Sequence, residues 1–124
     1  MDVMAEDLRI LTCFHPLRLS KKSQQPVEFS VELINKGSEP KALTLELALD
    51  RFLSLDRSGL NRGTRMKIDK LSPGEVKKLY FDIYASQLAD AKEHTIQLKV
   101  AEHFKDFRYV VNERKVNTSL IVTE

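Results

Sequence analysis

Four side chains in the 124-residue sequence have the chemistry to hold a metal or attack a substrate: Cys13, His15, His94 and His103. Cys13 and His15 are two apart, and residues two apart on a strand share a face. They therefore offer two ligands on one surface. A structural zinc site takes four ligands and a catalytic one takes three, each oriented by hydrogen bonds from behind. No CxxC or HExxH segment supplies the remainder. A cysteine nucleophile needs a base and an orienting group beside it. His94 or His103 would have to be brought to Cys13 by the fold, since no local motif assembles them. Asp50 and Asp56 read as solvated turn residues. The expectation is a chain without catalytic residues, metal or cofactor, in which Cys13 is an ordinary small buried side chain and His15 a loop residue.

A second group is basic. Arg51, Arg57, Arg62, Arg65, Lys67 and Lys70 fall within 51–70, against Asp56 and Asp69, and Lys21-Lys22 and Lys77-Lys78 add two pairs. Together with outward tyrosines, such a surface suits nucleic acid, with cations on the phosphates and rings under the bases. It suits an acidic protein partner equally. The balance of the whole chain argues against a dedicated nucleic-acid binder: 31% of residues are charged, yet the net charge is +2. Dedicated binders carry a larger basic excess. The plain reading is a solvated loop followed by an edge strand protected by its lysines. A nucleic-acid-binding module using the basic 51–70 loop stands as the alternative function.

Tyr80 and Tyr84 form the third group. They are four apart in an alternating segment and point outward, and Ile34 and Ala48 also fall on wet faces. Exposed aromatic and apolar side chains of this kind mark protein interfaces. An open edge strand can add to the sheet of a partner or of a second copy. The expected partner is therefore a protein, with a homodimer as the specific form, carried by Tyr80, Tyr84 and an edge strand.

The elements that must position these groups are strands. The segment 27–50 reads VEFSVELINKGSEPKALTLELALD. Val27, Phe29, Val31 and Leu33 alternate with polar residues, and Leu43, Leu45, Leu47 and Leu49 repeat the pattern. A two-residue period puts each apolar set on one face of a strand. Asn35-Lys36-Gly37 and Glu39-Pro40 turn the chain between them. On either side, 8–14 reads as a first strand, broken by His15-Pro16 and resumed at 17–19. Residues 20–26 are a polar loop. The stretch 51–64 is irregular, and 65–71 is a strand. Ser72-Pro73-Gly74-Glu75 is a turn, because proline presets φ at its second position and glycine supplies positive φ at its third. Next comes the strand 76–85, with Leu79, Phe81 and Ile83 inward. Residues 86–92 read as one helical turn capped by Ser86. A strand over 95–104 is continued or bulged by 107–111. Asn112 to Lys115 is a polar turn, and 116–123 is the closing strand.

Seven to eight strands with turns between them predict an all-β, immunoglobulin-like antiparallel β-sandwich. One sandwich of this length is a single domain, 1–124, and needs no staple. Cys13 is the only cysteine, so no internal disulfide forms. MDVMAEDLRI opens on acids rather than a basic segment and an apolar run. No apolar stretch reaches the roughly 20 residues of a membrane helix. The expectation is a cytoplasmic chain with no membrane partner. The segments Leu33-Ile34-Asn35-Lys36-Gly37, Leu71-Ser72-Pro73-Gly74-Glu75, Leu79-Tyr80-Phe81-Asp82-Ile83 and Ile96-Gln97-Leu98-Lys99-Val100 resemble the CARDB-like immunoglobulin-type modules of archaea and bacteria. In those, N-x-G follows the second strand and L-x-P-G-E precedes the fifth. Glu93-His94-Thr95 stands where those modules carry a glycine-tyrosine-type strand entry. The resemblance spans about 27–104 and implies a seven-stranded sandwich with a binding or spacer role.

Overall fold

Alternation of apolar and polar side chains produces strands throughout the computed structural model, which describes residues 7–103, 107 and 109–124. The strands are β1 (Leu8–His15), β2 (Arg18–Ser20), β3 (Val27–Asn35), β4 (Lys41–Leu49), β5 (Leu53–Ser54), β6 (Gly63–Leu71), β7 (Val76–Ala85), β8 (Glu93–His103) and β9 (Val110–Thr123). They form two sheets, in the orders β1-β3-β7-β5 and β2-β9-β8-β4-β6. All neighbours are antiparallel except β2, which runs parallel to β9.

The inward residues of the two sheets share one core. Val27, Phe29, Val31 and Leu33 of β3, with Leu79 and Ile83 of β7, meet Leu43, Leu45 and Leu47 of β4, Ile96, Leu98 and Val100 of β8, and Leu120 and Val122 of β9. Burying such side chains contributes roughly 1.5–3 kcal/mol each, the main favourable term of the fold. The chain is therefore an all-β sandwich. Among the described residues there is no helix long and apolar enough to cross a membrane.

Several local expectations are corrected. Among the described residues the count is nine strands rather than seven or eight. Residues 86–92 form no helical turn: Ser86 Oγ accepts from Leu88 N, and Ala89 N donates to Ser86 O, which closes a β-turn. The capping residue is correct for an isolated turn, but seven residues with Asp90 and no packed apolar stripe cannot propagate a helix. Asn112 to Lys115 is not a turn either. It lies inside β9, because those residues pair with β8 from Lys99 to Glu102 and extend the ladder. Polarity there reflects the wet rim of a long strand rather than a reversal. The short pairing of Leu53 and Ser54 with Ala85 and Tyr84 interrupts the irregular stretch 51–64. The expected strand over 107–111 falls partly outside the described residues, as do residues 1–6. Asp7 itself is held, its carbonyl accepting from Lys36 N.

One end of the sandwich is closed by Asn35, which is fully buried. Its Nδ2 donates to Glu39 O and Leu71 O, each at 2.8 Å, and its Oδ1 accepts from Gly37 N at 2.9 Å. Its backbone N–H donates to Glu75 O, and its carbonyl accepts from Gly74 N at 2.7 Å. One residue thus joins the β3–β4 turn to the β6–β7 turn. Gly74 meets it with φ at +81°, the positive value that the Pro-Gly turn requires. Removing one partner of a buried hydrogen bond strands the others at about 1–3 kcal/mol each. Asn35→Ala should therefore lower unfolding stability in urea by about 3 kcal/mol, and Asn35→Asp by more, since a carboxylate would face two carbonyls. Gly74→Ala, where an added Cβ meets open space, should cost only the backbone term of roughly 1 kcal/mol. An Asn35→Ala loss no larger than that of Gly74→Ala would refute the role given to Asn35.

Candidate protein-interaction surface

Each sheet has one outer face, and the two differ in how their polar groups are satisfied. On the five-stranded sheet, register places Arg65 of β6 opposite Glu46 of β4, and Glu46 opposite Lys99 of β8. The side chains follow: Arg65 to Glu46 at 3.6 Å, Glu46 to Lys99 at 3.3 Å, and Lys99 to Glu113 of β9 at 3.9 Å. Charge alternates across β6, β4 and β8, the favourable cross-strand arrangement, and Glu113 reaches Lys99 diagonally on β9, where Lys115 stands directly opposite Lys99. Lys67, one step along β6, lies 4.9 Å over the ring of Phe107.

The outer face of the four-stranded sheet is built differently. Register fixes its rows across β1, β3 and β7 as Arg9–Ile34–Val76, Leu11–Glu32–Lys78, Cys13–Ser30–Tyr80 and His15–Glu28–Asp82. Leu11 is 39% exposed, Val76 44% and Tyr80 58%. Cys13 is exposed as well, against the expectation of a buried thiol, because odd-numbered residues of β1 face away from the core. Glu28 and Asp82 stand directly opposite one another, a like-charge pairing that costs stability. Among the described residues no ion pair crosses this face.

The expected site residues fall in several places. Tyr80 is on the open face, as expected. Tyr84 lies on the same side but is half-buried, with the Arg57 guanidinium 5.3 Å over its ring, so it is not a second free aromatic. Ile34 is half-buried on the Tyr80 face, whereas Ala48 is exposed on the other sheet. The six basic residues do not gather into one patch. Arg51 stacks on Phe52 at 4.8 Å, and Arg57 covers Tyr84. Arg62 is exposed in the loop before β6, Arg65 belongs to the charge ladder, Lys67 covers Phe107, and Lys70 is exposed at the far end of β6. A strand rises about 3.3 Å per residue, so Arg62 and Lys70 are separated by roughly 26 Å.

The histidines are also dispersed. His94 is buried at the opposite end from Asn35, with Nε2 2.9 Å from Asp90 O and Nδ1 3.4 Å from Asp50 Oδ2. Asp50 Oδ1 in turn accepts from Phe52 N. Asp50 is thus a loop anchor rather than a solvated turn residue, and His94 ties two loops together out of reach of any substrate. His103 is buried on β8, its Nε2 2.8 Å from Thr44 Oγ1. His15 shares the outer face of β1 with Cys13, and neither meets a third ligand. Among the described residues no three His, Cys, Asp or Glu side chains are placed to hold a metal. The buried cation Lys41, paired with Glu102 and 3.9 Å from Asp7, gave no sequence signal. It closes the gap between β1 and the second sheet beside Arg114, which donates to Leu8 O. An open groove of about 370 Å³ lies beside Lys21, Arg57, Ser58 and Tyr84. Its cations are engaged, Lys21 by Ala89 O and Glu124 and Arg57 by the Tyr84 ring.

No family model matches the chain, and no curated protein matches its sequence. The fold is similar to the crystal structure of a FixG-related protein from Vibrio parahaemolyticus, with a TM-score of 0.57 and 17% identity over 94% of this chain and 96% of that one. At that identity the likeness concerns the fold alone.

The ladder on the five-stranded sheet is half-exposed, and exposed ion pairs contribute about 1 kcal/mol or less. Glu46→Gln should therefore lower urea stability by at most about 1 kcal/mol, the difference shrinking in high salt as the charges are screened. A large, salt-insensitive loss would show that the ladder is a structural support and not a wet face.

Proposed function

We propose that this chain is a non-catalytic, immunoglobulin-like module that works by protein–protein contact through its four-stranded sheet, with a second copy of itself as partner. The strand order supports the immunoglobulin-like reading. β1-β3-β7 lies over β2-β9-β8-β4-β6, an A-B-E layer over an A′-G-F-C-C′ layer, with the first strand split between them. The two turn segments that resemble those of CARDB-like modules dock on one another through Asn35, which supports a module of that type. The single exposed thiol suits a reducing compartment, and the cytoplasm is the proposed location.

The observation that carries the contact reading is the contrast between the outer faces. One sheet carries a ladder of ion pairs across its outer face. The other leaves Leu11, Val76 and Tyr80 exposed, with no ion pair across it among the described residues and with Glu28 set directly opposite Asp82. Exposed apolar groups on a flat sheet gain by being covered, and a buried interface tyrosine commonly dominates binding. Sedimentation from micromolar to millimolar protein tests the reading. The parent should associate with increasing concentration, and at least one of Leu11→Asp and Tyr80→Ala should raise the dissociation constant about tenfold or more, while Glu46→Gln behaves as the parent. A parent that remains monomeric throughout, or association unaffected by either substitution, would overturn it.

A further inference from the structure

Within the four-stranded sheet β1 is an edge strand, with β3 on one side and, among the described residues, no strand on the other. The direction of its backbone groups follows from two contacts. Lys36 N donates to Asp7 O, and the register sets Leu8 opposite Asn35. Bonded and non-bonded pairs alternate along an antiparallel ladder. Arg9, Leu11, Cys13 and His15 therefore turn their amides and carbonyls toward β3. Leu8, Ile10, Thr12 and Phe14 turn theirs toward the open side. Arg114 confirms the parity by donating to Leu8 O from the second sheet. This leaves Ile10, Thr12 and Phe14 as the residues with backbone groups open for pairing, apart from a weak thiol contact from Cys13 to Phe14 O at 3.6 Å.

We infer that two copies of this chain pair β1 with β1 in antiparallel fashion about a two-fold axis at Thr12, joining their four-stranded sheets into one. This rests on the contact reading above and names the seam. Paired residues in a sheet must lie on the same face, so only registers that oppose even with even positions are open. With the axis at Thr12, the hydrogen-bonded pairs are Thr12 with Thr12 of the second copy and Ile10 with Phe14 in both directions. These are the three residues whose edge groups are open, and Leu8, already taken by Arg114, is not needed.

The side chains agree on both faces. Inward, the half-buried Ile10 meets the half-buried Phe14 of the second copy, completing cover for two side chains at the margin of the core. Outward, Leu11 meets Cys13. Arg9 comes opposite His15, beside the Glu28–Asp82 pair that lacks a cation within its own chain. Moving the axis by one residue, to Leu11, would put Ile10 against Thr12 and leave Arg9 facing Cys13. The strand is thus complementary in apolarity to itself reversed, Ile10 against Phe14 and Leu11 against Cys13, as an isologous two-fold contact requires. That complementarity favours a second copy over an unrelated extended peptide.

The register sets Leu11 and Cys13 of the second copy as a non-hydrogen-bonded pair, whose Cα atoms stand about 4.5 Å apart. That spacing is within disulfide reach. The test is Leu11→Cys, an exposed position, in the full chain under a mild thiol oxidant, read by non-reducing electrophoresis. Leu11→Cys should convert mostly to a covalent dimer. The parent, whose Cys13 faces Leu11, and the double variant Leu11→Cys/Cys13→Ser should cross-link at least tenfold more slowly. Thr12→Pro removes a donor from the open side and leaves the β3 ladder intact, and should raise the dimer dissociation constant at least tenfold, while Tyr80→Ala leaves it unchanged. Rapid cross-linking of the parent would overturn the register, since it would put Cys13 opposite Cys13. A dimer in sedimentation that resists Thr12→Pro, fails to cross-link as Leu11→Cys and is weakened by Tyr80→Ala would overturn the seam and leave the contact reading standing. A monomer at every concentration would end both.

Discussion

The side chain of Asn35 is the constraint on which the two-sheet arrangement depends. It is buried at the point where the last residue of β3 would otherwise leave unsatisfied groups beneath two turns. A buried amide has to find partners for each of its donors and acceptors. Here they are Gly37 and Glu39 in one turn and Leu71 at the end of β6. Since β3 belongs to one sheet and β6 to the other, satisfying this one amide sets how the sheets meet at that end. At the opposite end His94 does related work, its Nε2 2.9 Å from Asp90 O in the loop before β8, with Asp50 Oδ2 3.4 Å from its Nδ1. Between them the leucine and valine core supplies adhesion without direction.

With the ends fixed, the two outer faces have different physical characters. The five-stranded sheet carries a ladder of ion pairs through Arg65, Glu46, Lys99 and Glu113, and Lys67 lies over the Phe107 ring. The middle of that surface is well solvated, and its exposed apolar groups, Val110 and Val111, lie at the start of β9. The four-stranded sheet has three strands of useful length, and its rows mix apolar groups with carboxylates set side by side. Its β1 edge is not defended by lysine, proline or an inward charge, the usual devices against pairing. The proposal of a contact surface rests on this contrast in satisfaction, not on the tyrosines as such.

Much of the fold was legible because strand formation leaves a local mark. The alternating residues Val27 to Leu33 and Leu43 to Leu49 fall within β3 and β4, and Pro73-Gly74 makes the turn that its φ preferences predict. The misreadings occurred where local chemistry and long-range pairing disagree. Asn112 to Lys115 has turn-like polarity, yet β8 extends far enough to pair with it. Ser86 caps a turn that nothing propagates into a helix. The candidate sites were less legible. Tyr84 has the same parity as Tyr80, and only the return of the chain through Arg57 distinguishes them. The run of cations in 51–70 is contiguous in sequence and scattered in space, because a strand carries successive residues apart and each arginine finds a different neighbour.

By itself, then, the sequence determined which residues alternate, where the chain turns, that the class is all-β, and which side chains belong to the core. Those properties follow from the period of two and from the φ preferences of proline, glycine and asparagine, which act over a few residues. Tertiary structure decided that β1 is an edge and that the chain after it passes to the other sheet as β2, that Lys41 is buried against Glu102, and that Cys13 is exposed. It also decided that Arg65 answers Glu46 while Glu28 faces Asp82. Each of these depends on which distant strand lies alongside and in what register. That choice is made by burying the whole core at once, and no short window of sequence contains it.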